Sequence, residues 1–330
     1  MFELIEHGGR LNAAAARYGI ALSDWLDLST GINPNGWPVP ALPARAWNRL
    51  PEPDDGLIAA AQAYYCAPHI LPVAGSQAAI QVLPRLRERG RTGVIAPGYS
   101  EHAHAWRRAG HDVAPIAHDQ IAAAVDALDV VVLIHPNNPT GQTFSREQLL
   151  QWHAQLVAKN GWLIVDEAFM DATPEHSIAE FCTRPGLIVL RSLGKFFGLA
   201  GARVGFVCAV PELLQAIDAQ LGPWTVCGPA RLAATRALQD TSWQATTRED
   251  LLRSGQRLSH LLTIHSLQPS GGTALFHWVT TPRAAHVHEA LARQGVLTRG
   301  FADPASVRFG LPANEAQWQR LTSALVEAMS

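Results

Sequence analysis

Only two of the 26 basic residues in the chain, Lys159 and Lys195, are lysines. Arginine keeps its proton at every working pH, whereas a lysine amine can lose its proton to its surroundings and attack a carbonyl carbon. Lys159 has an ordinary reading: it ends an apparent helix over residues 145–159, closed by Asn160-Gly161, where a cation complements the helix dipole. Lys195 stands instead in Ser192-Leu193-Gly194-Lys195, with Arg203 eight residues further on. Upstream lie Asp166-Glu167-Ala168-Phe169, Asn137-Asn138-Pro139-Thr140-Gly141, Pro97-Gly98-Tyr99 and Ala74-Gly75-Ser76-Gln77. Singly, each has a plain structural reading: a turn, a helix cap, a packed aromatic ring. Jointly they are an amine, a carboxylate, an amide and a loop of backbone N–H groups able to hold an anion.

The elements that must carry these residues alternate. Apolar runs predict strands at Val94–Ala96, Val130–His135, Trp162–Asp166, Leu187–Ser192 and Val204–Val210. Helix-period segments alternate with them, at Gln77–Arg89 before the first and at His102–Ala109, Gln120–Ala127, Ser145–Ala158 and Glu212–Leu221 between or after the others. Such alternation predicts an α/β fold with a mostly parallel sheet covered by helices. In that fold, ligands bind at the carboxyl ends of the strands, where the polar sets above fall. Near Gly222-Pro223 the punctuation changes; one long helical stretch over 229–262 follows, then short strands and two helices in an α+β tail.

Pyridoxal 5'-phosphate needs this set of groups. Its ring nitrogen stays protonated beside a buried carboxylate, which assigns Asp166. Its ring oxygen needs a donor, which Asn138 supplies. Its phosphate needs N–H groups and positive charge, available from Gly75, Ser76, Gln77, Ser192 and Arg203. Its aldehyde needs an amine, Lys195, and its ring face needs an aromatic cover, Tyr99.

With Asn138-Pro139-Thr140-Gly141, Asp166-Glu167-Ala168-Phe169 and Ser192-Leu193-Gly194-Lys195 in place, the chain resembles the fold type I aminotransferase superfamily, close to its histidinol-phosphate aminotransferase group. Within that group it is most similar to the threonine-phosphate decarboxylase family of cobalamin biosynthesis. The marks are His7-Gly8-Gly9-Arg10 before an Ala-rich helix, Asp27-Leu28-Ser29-Thr30-Gly31-Ile32-Asn33-Pro34, Pro97-Gly98-Tyr99 with Glu101, and Pro223-Trp224-Thr225-Val226. The resemblance implies a homodimer with an N-terminal arm (residues 1–40), a large cofactor domain (41–222) and a small C-terminal domain (223–330). It implies decarboxylation of L-threonine O-3-phosphate to (R)-1-amino-2-propanol O-2-phosphate, with Lys195 as catalytic residue and proton donor. It also implies that Arg308 takes the substrate carboxylate and that His7, Gly8, Gly9 and Asn33, with Arg10 secondary, take its phosphate.

Two departures from the wider superfamily stand out. Phe169 occupies a position where many aminotransferases have a tyrosine, which leaves Asn138 more of the work on the ring oxygen. Leu50 precedes Pro51-Glu52 where a tyrosine would reach the partner subunit's cofactor phosphate, leaving Tyr64 or Tyr65 as substitutes. The alternative activity is transamination of histidinol phosphate or another phosphorylated amine, with nearly the same groups. A non-catalytic scaffold would have no need to keep Lys195, Asp166, Asn138 and Arg203 together.

Composition excludes other classes. A formal charge of -2 leaves no basic surplus for nucleic acid. No apolar run approaches the ~18 residues of a membrane span, and Glu3 and Glu6 stand where a signal peptide is positive, so a cytoplasmic protein is expected. Cys66, Cys182, Cys208 and Cys227 form no CxxC pair and read as buried free thiols. His102 and His104 lie two apart, so they make no metal pair; His102 reads as a surface or capping residue, with a place near the substrate beside Tyr99 as the alternative, and His135 and His277 as packed strand residues. No metal site is expected.

Overall fold

The sheet is built around the most uniformly apolar runs. In this computed structural model, which describes residues 8–329, the strands Val130–Ile134, Trp162–Asp166 and Leu187–Ser192 lie side by side, parallel and almost entirely buried. A strand covered on both faces has no polar side to alternate, so it reads as continuous Val, Ile and Leu. Each such side chain contributes roughly 1.5–3 kcal/mol by leaving water. Seven strands complete the sheet: β1 (Ile70–Val73), β2 (Arg91–Ile95), β3 (Asp112–Ile116), β4 (Val130–Ile134), β5 (Trp162–Asp166), β6 (Leu187–Ser192) and β7 (Gly205–Cys208). Their order is β1-β7-β6-β5-β4-β2-β3. Strand β7 is antiparallel to both neighbours; the other pairs are parallel. The expected mostly parallel α/β sheet is therefore what the chain forms. Chain order reverses between β4 and β2, which leaves a crevice at their carboxyl ends.

Neither β1 nor β3 is legible from periodicity. Both are edge strands and both carry a proline, Pro72 and Pro115. Proline cannot donate to a ladder and is tolerated where one side is unpaired, so the residue that disguises these strands also marks them as edges. The helical stretch over 229–262 is two helices, Gly228–Gln239 and Thr241–Ile264. Asp240 divides them: its carboxylate accepts from the Trp243 N–H and from the Trp37 indole, each at 3.0 Å. The helix expected to reach Arg89 stops at Val82 and passes into a 3-10 turn carrying Pro84.

Contacts along the chain divide it into two compact units. One, residues 36–138 and 142–246, holds the seven-stranded sheet, with Val73, Ile80, Trp106, Ile164 and Val207 in its core. The other comprises residues up to Asn35, Pro139–Gly141 and those from Thr247 onward. Its antiparallel sheet contains β8 (Gly271–Thr273), β9 (Phe276–Thr280), β10 (Arg299–Phe301) and β11 (Ser306–Gly310), in the order β10-β11-β9-β8. A short parallel ladder joins Leu26–Asp27 to Val296–Leu297. Gly141 must be glycine, because a Cβ there would stand 2.2 Å from the Gly272 carbonyl oxygen.

All four cysteines are free, but only Cys182 and Cys208 are buried. Cys66 and Cys227 are exposed because they cap helix ends, after Tyr65 and before Gly228. No helix among the described residues is long and apolar enough to cross a membrane.

Candidate active site

Gly75, Ser76, Gln77, Tyr99, Asn138, Asp166, Ser192, Lys195 and Arg203 line one cavity of about 150 Å³. Phe169 and Gly194 are also in its wall. The residues arrive there by following β1, β2 and β4, ending β5 and β6, or flanking β7.

Lys195 is half-buried on a segment that cannot shift easily. Leu193, Phe196 and Phe197 around it are fully buried. The Leu193 N–H donates to the Val204 carbonyl, and the Gly194 N–H to Ser192 Oγ, both at 3.1 Å. Lys195 Nζ lies 5.2 Å from the centre of the Phe169 ring, so the residue in place of a tyrosine offers the amine a π face and no hydroxyl.

Asp166 is 4% exposed, and its Oδ1 accepts from the Ala168 N–H at 3.0 Å. Its Oδ2 lies 2.9 Å from His102 Nε2. His102, expected at the surface, is instead buried and holds this carboxylate. A signal existed: Tyr99 and His102 are three residues apart at a helix start and so share a face. Burial, then the charges of Glu101 and Asp166, push the Tyr99 phenol up to about 12, so it stays protonated.

The anion cradle depends on close approach. Gly75 has φ +70°, and a Cβ on it would lie 2.5 Å from Arg203 Nη2; a Cβ on Gly205 would lie 2.4 Å from the Ser76 nitrogen. Arg203 itself has φ 52°, a left-handed backbone that costs a residue with a side chain roughly 1–3 kcal/mol. An amine, a carboxylate, an amide, a guanidinium and a helix-opening loop in one wall fit pyridoxal phosphate; the Gly75 N–H itself donates to the Val73 carbonyl at 2.7 Å, so that glycine contributes close approach and not a donor.

Successive residues of a strand face opposite ways, so the neighbours of Asp166 and Ser192 brace the sheet from behind. Arg191 pairs there with Glu167 and, at 2.6 Å, with Asp171, all buried. Burial opposes the guanidinium's charge, yet Asp171 and Glu167 raise its pKa above the ordinary value. Tyr65 lies buried with its ring 4.4 Å from Arg191, and Tyr64 packs edge-on to Phe197. Neither is in this chain's cavity wall; the contact expected of them is to the partner subunit's cofactor phosphate.

The second group of expected residues belongs to the other unit. His7 lies outside the described residues. Gly8 and Gly9 line a cavity of about 510 Å³ with Arg10, Ser29, His288 and Arg299 in its wall. Ser29 organises this region: its Oγ accepts from the Gly9 N–H at 2.7 Å and donates to Asp27 at 2.6 Å, and its carbonyl accepts from Arg308. Arg308 is 5% exposed and lies over the Phe276 ring. Burial, with the Arg299 charge adding, lowers its pKa to about 10, which leaves it cationic at neutral pH. Asn33 is buried but not in that wall; its Oδ1 accepts from the Asn35 N–H at 2.9 Å and shapes a turn. Arg299 was not foreseen. It sits directly opposite Arg308 across β10 and β11, a pairing that puts both guanidiniums on one face.

Lys159 does not serve its own helix, which ends at Val157. Its Nζ donates to the carbonyls of Val125 at 3.0 Å and Asp126 at 2.6 Å, in a neighbouring turn. His135 is fully buried, accepts from the Phe144 N–H at Nδ1, and is held by burial at a pKa of about 4. Among the described residues no cluster of His, Cys, Asp or Glu is placed to hold a metal.

Residues 41–325 match the family model for aminotransferase class I and II. The chain is 58% identical over 323 residues to a threonine-phosphate decarboxylase of Pseudomonas aeruginosa, covering 98% of each protein. It is 43% identical to a threonine-phosphate decarboxylase of a Sinorhizobium species, covering 97% of each. A solved histidinol-phosphate aminotransferase of Sinorhizobium meliloti, in complex with pyridoxal-5'-phosphate, shares the fold with a TM-score of 0.82 at 21% identity, over 99% of this chain and 98% of that one.

Proposed function

The chain belongs to the aminotransferase class I and II family, and from that premise we propose that it is a pyridoxal-phosphate-dependent carboxy-lyase. Its substrate is L-threonine O-3-phosphate and its product (R)-1-amino-2-propanol O-2-phosphate, an intermediate for cobalamin. One observation carries the reading: Lys195, Asp166 and the Gly75–Gln77 loop with Arg203 share one cavity wall, with His102 holding Asp166 from outside it, in a chain whose near full-length relatives are named threonine-phosphate decarboxylase.

When bound, the cofactor supplies an aldehyde for the substrate amine and a ring that takes up electrons as a bond to Cα breaks. The protein's residues do the rest. Asp166, oriented by His102, holds the proton on the ring nitrogen. Asn138 donates to the ring oxygen, and Tyr99 covers the ring. Gly75, Ser76, Gln77, Ser192 and Arg203 grip the cofactor phosphate. Lys195 Nζ carries the cofactor at rest and returns a proton to Cα after CO₂ departs. Arg308 orients the substrate carboxylate, because reaction choice depends on which Cα bond stands perpendicular to the ring. A substrate with two anionic groups suits two guanidiniums on one strand pair, and Arg299 joins Gly8, Gly9 and His7 as a candidate for its phosphate.

The enzyme acts as a cytoplasmic homodimer. Trp47, Leu50 and Trp224 expose 58–70% of their large apolar surfaces, which a second copy would cover. Four unpaired thiols accord with a reducing compartment.

Purified protein reconstituted with pyridoxal phosphate should release CO₂ and the phosphorylated amine from L-threonine phosphate alone. Turnover that requires 2-oxoglutarate would replace this reading with transamination of histidinol phosphate or a similar amine.

A further inference from the structure

Glu101 follows Pro97-Gly98-Tyr99 and is absent from the cavity wall, yet it is tied directly to Gln77, and through Gln77 to Tyr99, both of which are in it. Its Oε2 accepts from Gln77 Nε2 at 2.7 Å and from Gln81 Nε2 at 3.2 Å. The other end of the Gln77 amide, Oε1, accepts from the Tyr99 hydroxyl at 3.2 Å. Chemistry gives this chain of bonds a direction. A carboxylate only accepts, so the Gln77 amide must turn its NH₂ to Glu101 and its oxygen to Tyr99. A phenol has one proton, and Gln77 takes it as a hydrogen bond.

We propose that Glu101 is a positioning residue: acting through Gln77, it fixes the Tyr99 ring against the cofactor and keeps the Tyr99 proton from being delivered into the cavity. The inference rests on the cofactor reading above. Its consequence is that Tyr99 can only accept a hydrogen bond from anything bound beside it, which leaves proton return to Lys195. The elevated Tyr99 pKa, set by burial and then by Glu101, agrees with a phenol that keeps its proton.

Two measurements test it. In cofactor-free protein, the ultraviolet titration of Tyr99 is isolated by subtracting that of Tyr99→Phe. Its midpoint should fall in both Glu101→Gln and Gln77→Leu, since one loses the charge and the other the acceptor. In holoprotein, Glu101→Gln should speed release of pyridoxal phosphate roughly three- to tenfold. In a Gln77→Leu background, the same substitution should change release by less than about 1.5-fold, because the path is already cut. Gln81→Met removes an amide from Glu101 without touching Tyr99 and should leave release within about twofold. Independent, multiplying effects of Glu101→Gln and Gln77→Leu overturn the proposal, as does an effect of Gln81→Met as large as that of Glu101→Gln. Should Glu101→Gln fail to fold, Gln77→Leu alone decides: an unmoved Tyr99 midpoint overturns the proposal. Wild-type protein that binds no pyridoxal phosphate would sink the functional reading instead, while the titration of Tyr99 still tests the bond direction.

Discussion

The cofactor cavity is carried on buried strands, whereas the glycine wall at Gly8 and Gly9 is carried on a single serine. Around Lys195, Leu193, Phe196 and Phe197 are fully buried, and Asp166 ends a strand with both of its oxygens engaged. Around Gly9, the order comes from Ser29, which takes the Gly9 N–H, Asp27 and Arg308 at once. Groups proposed to hold the cofactor are thus fastened to the sheet core, which resists displacement. Groups expected to meet a substrate that comes and goes depend on a few hydrogen bonds, each contributing only about 1 kcal/mol. The two regions should therefore fail differently: damage to the first shows in cofactor binding, damage to the second in KM.

The largest expected effect is at the amine. Lys195→Ala should lower turnover by about 10³-fold or more. Borohydride reduction of the holoprotein should attach the cofactor to the Lys195 peptide by mass and leave Lys159 unlabelled, since Lys159 is held by two carbonyls; label on Lys159 would break the comparison at its root. Next, Arg308→Met should lower kcat/KM roughly 10- to 100-fold, mainly through KM, with the cofactor absorption unchanged. Loss of the cofactor band in that variant would show that the two regions are not independent. His102→Leu should do the reverse, raising the Kd for pyridoxal phosphate roughly 5- to 10-fold while KM holds. Ser29→Ala should raise KM about two- to fivefold with cofactor affinity intact. The smallest effect concerns His135. Its folded-state pKa is depressed by burial from 6.5 to about 4, so its contribution to stability is full above 6.5 and drains as pH falls toward 4. His135→Asn, which keeps an acceptor for the Phe144 N–H, should flatten denaturant-measured stability across that window without altering cofactor binding.

What the linear order of residues determines is local. Three central strands stand out because a strand buried on both faces is a run of Val, Ile and Leu, and Lys195 stands out because arginine replaces lysine almost everywhere else. In the cavity wall, Asn138, Asp166, Ser192 and Lys195 were legible because each follows or ends such a strand, and a parallel sheet gathers those ends at one edge, whereas Gly75, Ser76 and Gln77 were legible as a small-residue loop opening a helix. Pro72 and Pro115 hid two strands, since edge position is a property of the assembled sheet. The same holds for the pairs that complete the chemistry. His102 meets Asp166 across 64 residues, Ser29 meets Arg308 across 279, and Arg299 meets Arg308 only by the register of β10 on β11. Spacing along a chain specifies periodicity and turn chemistry, but contact between distant side chains depends on strand order and register, and these only the packed tertiary structure decides.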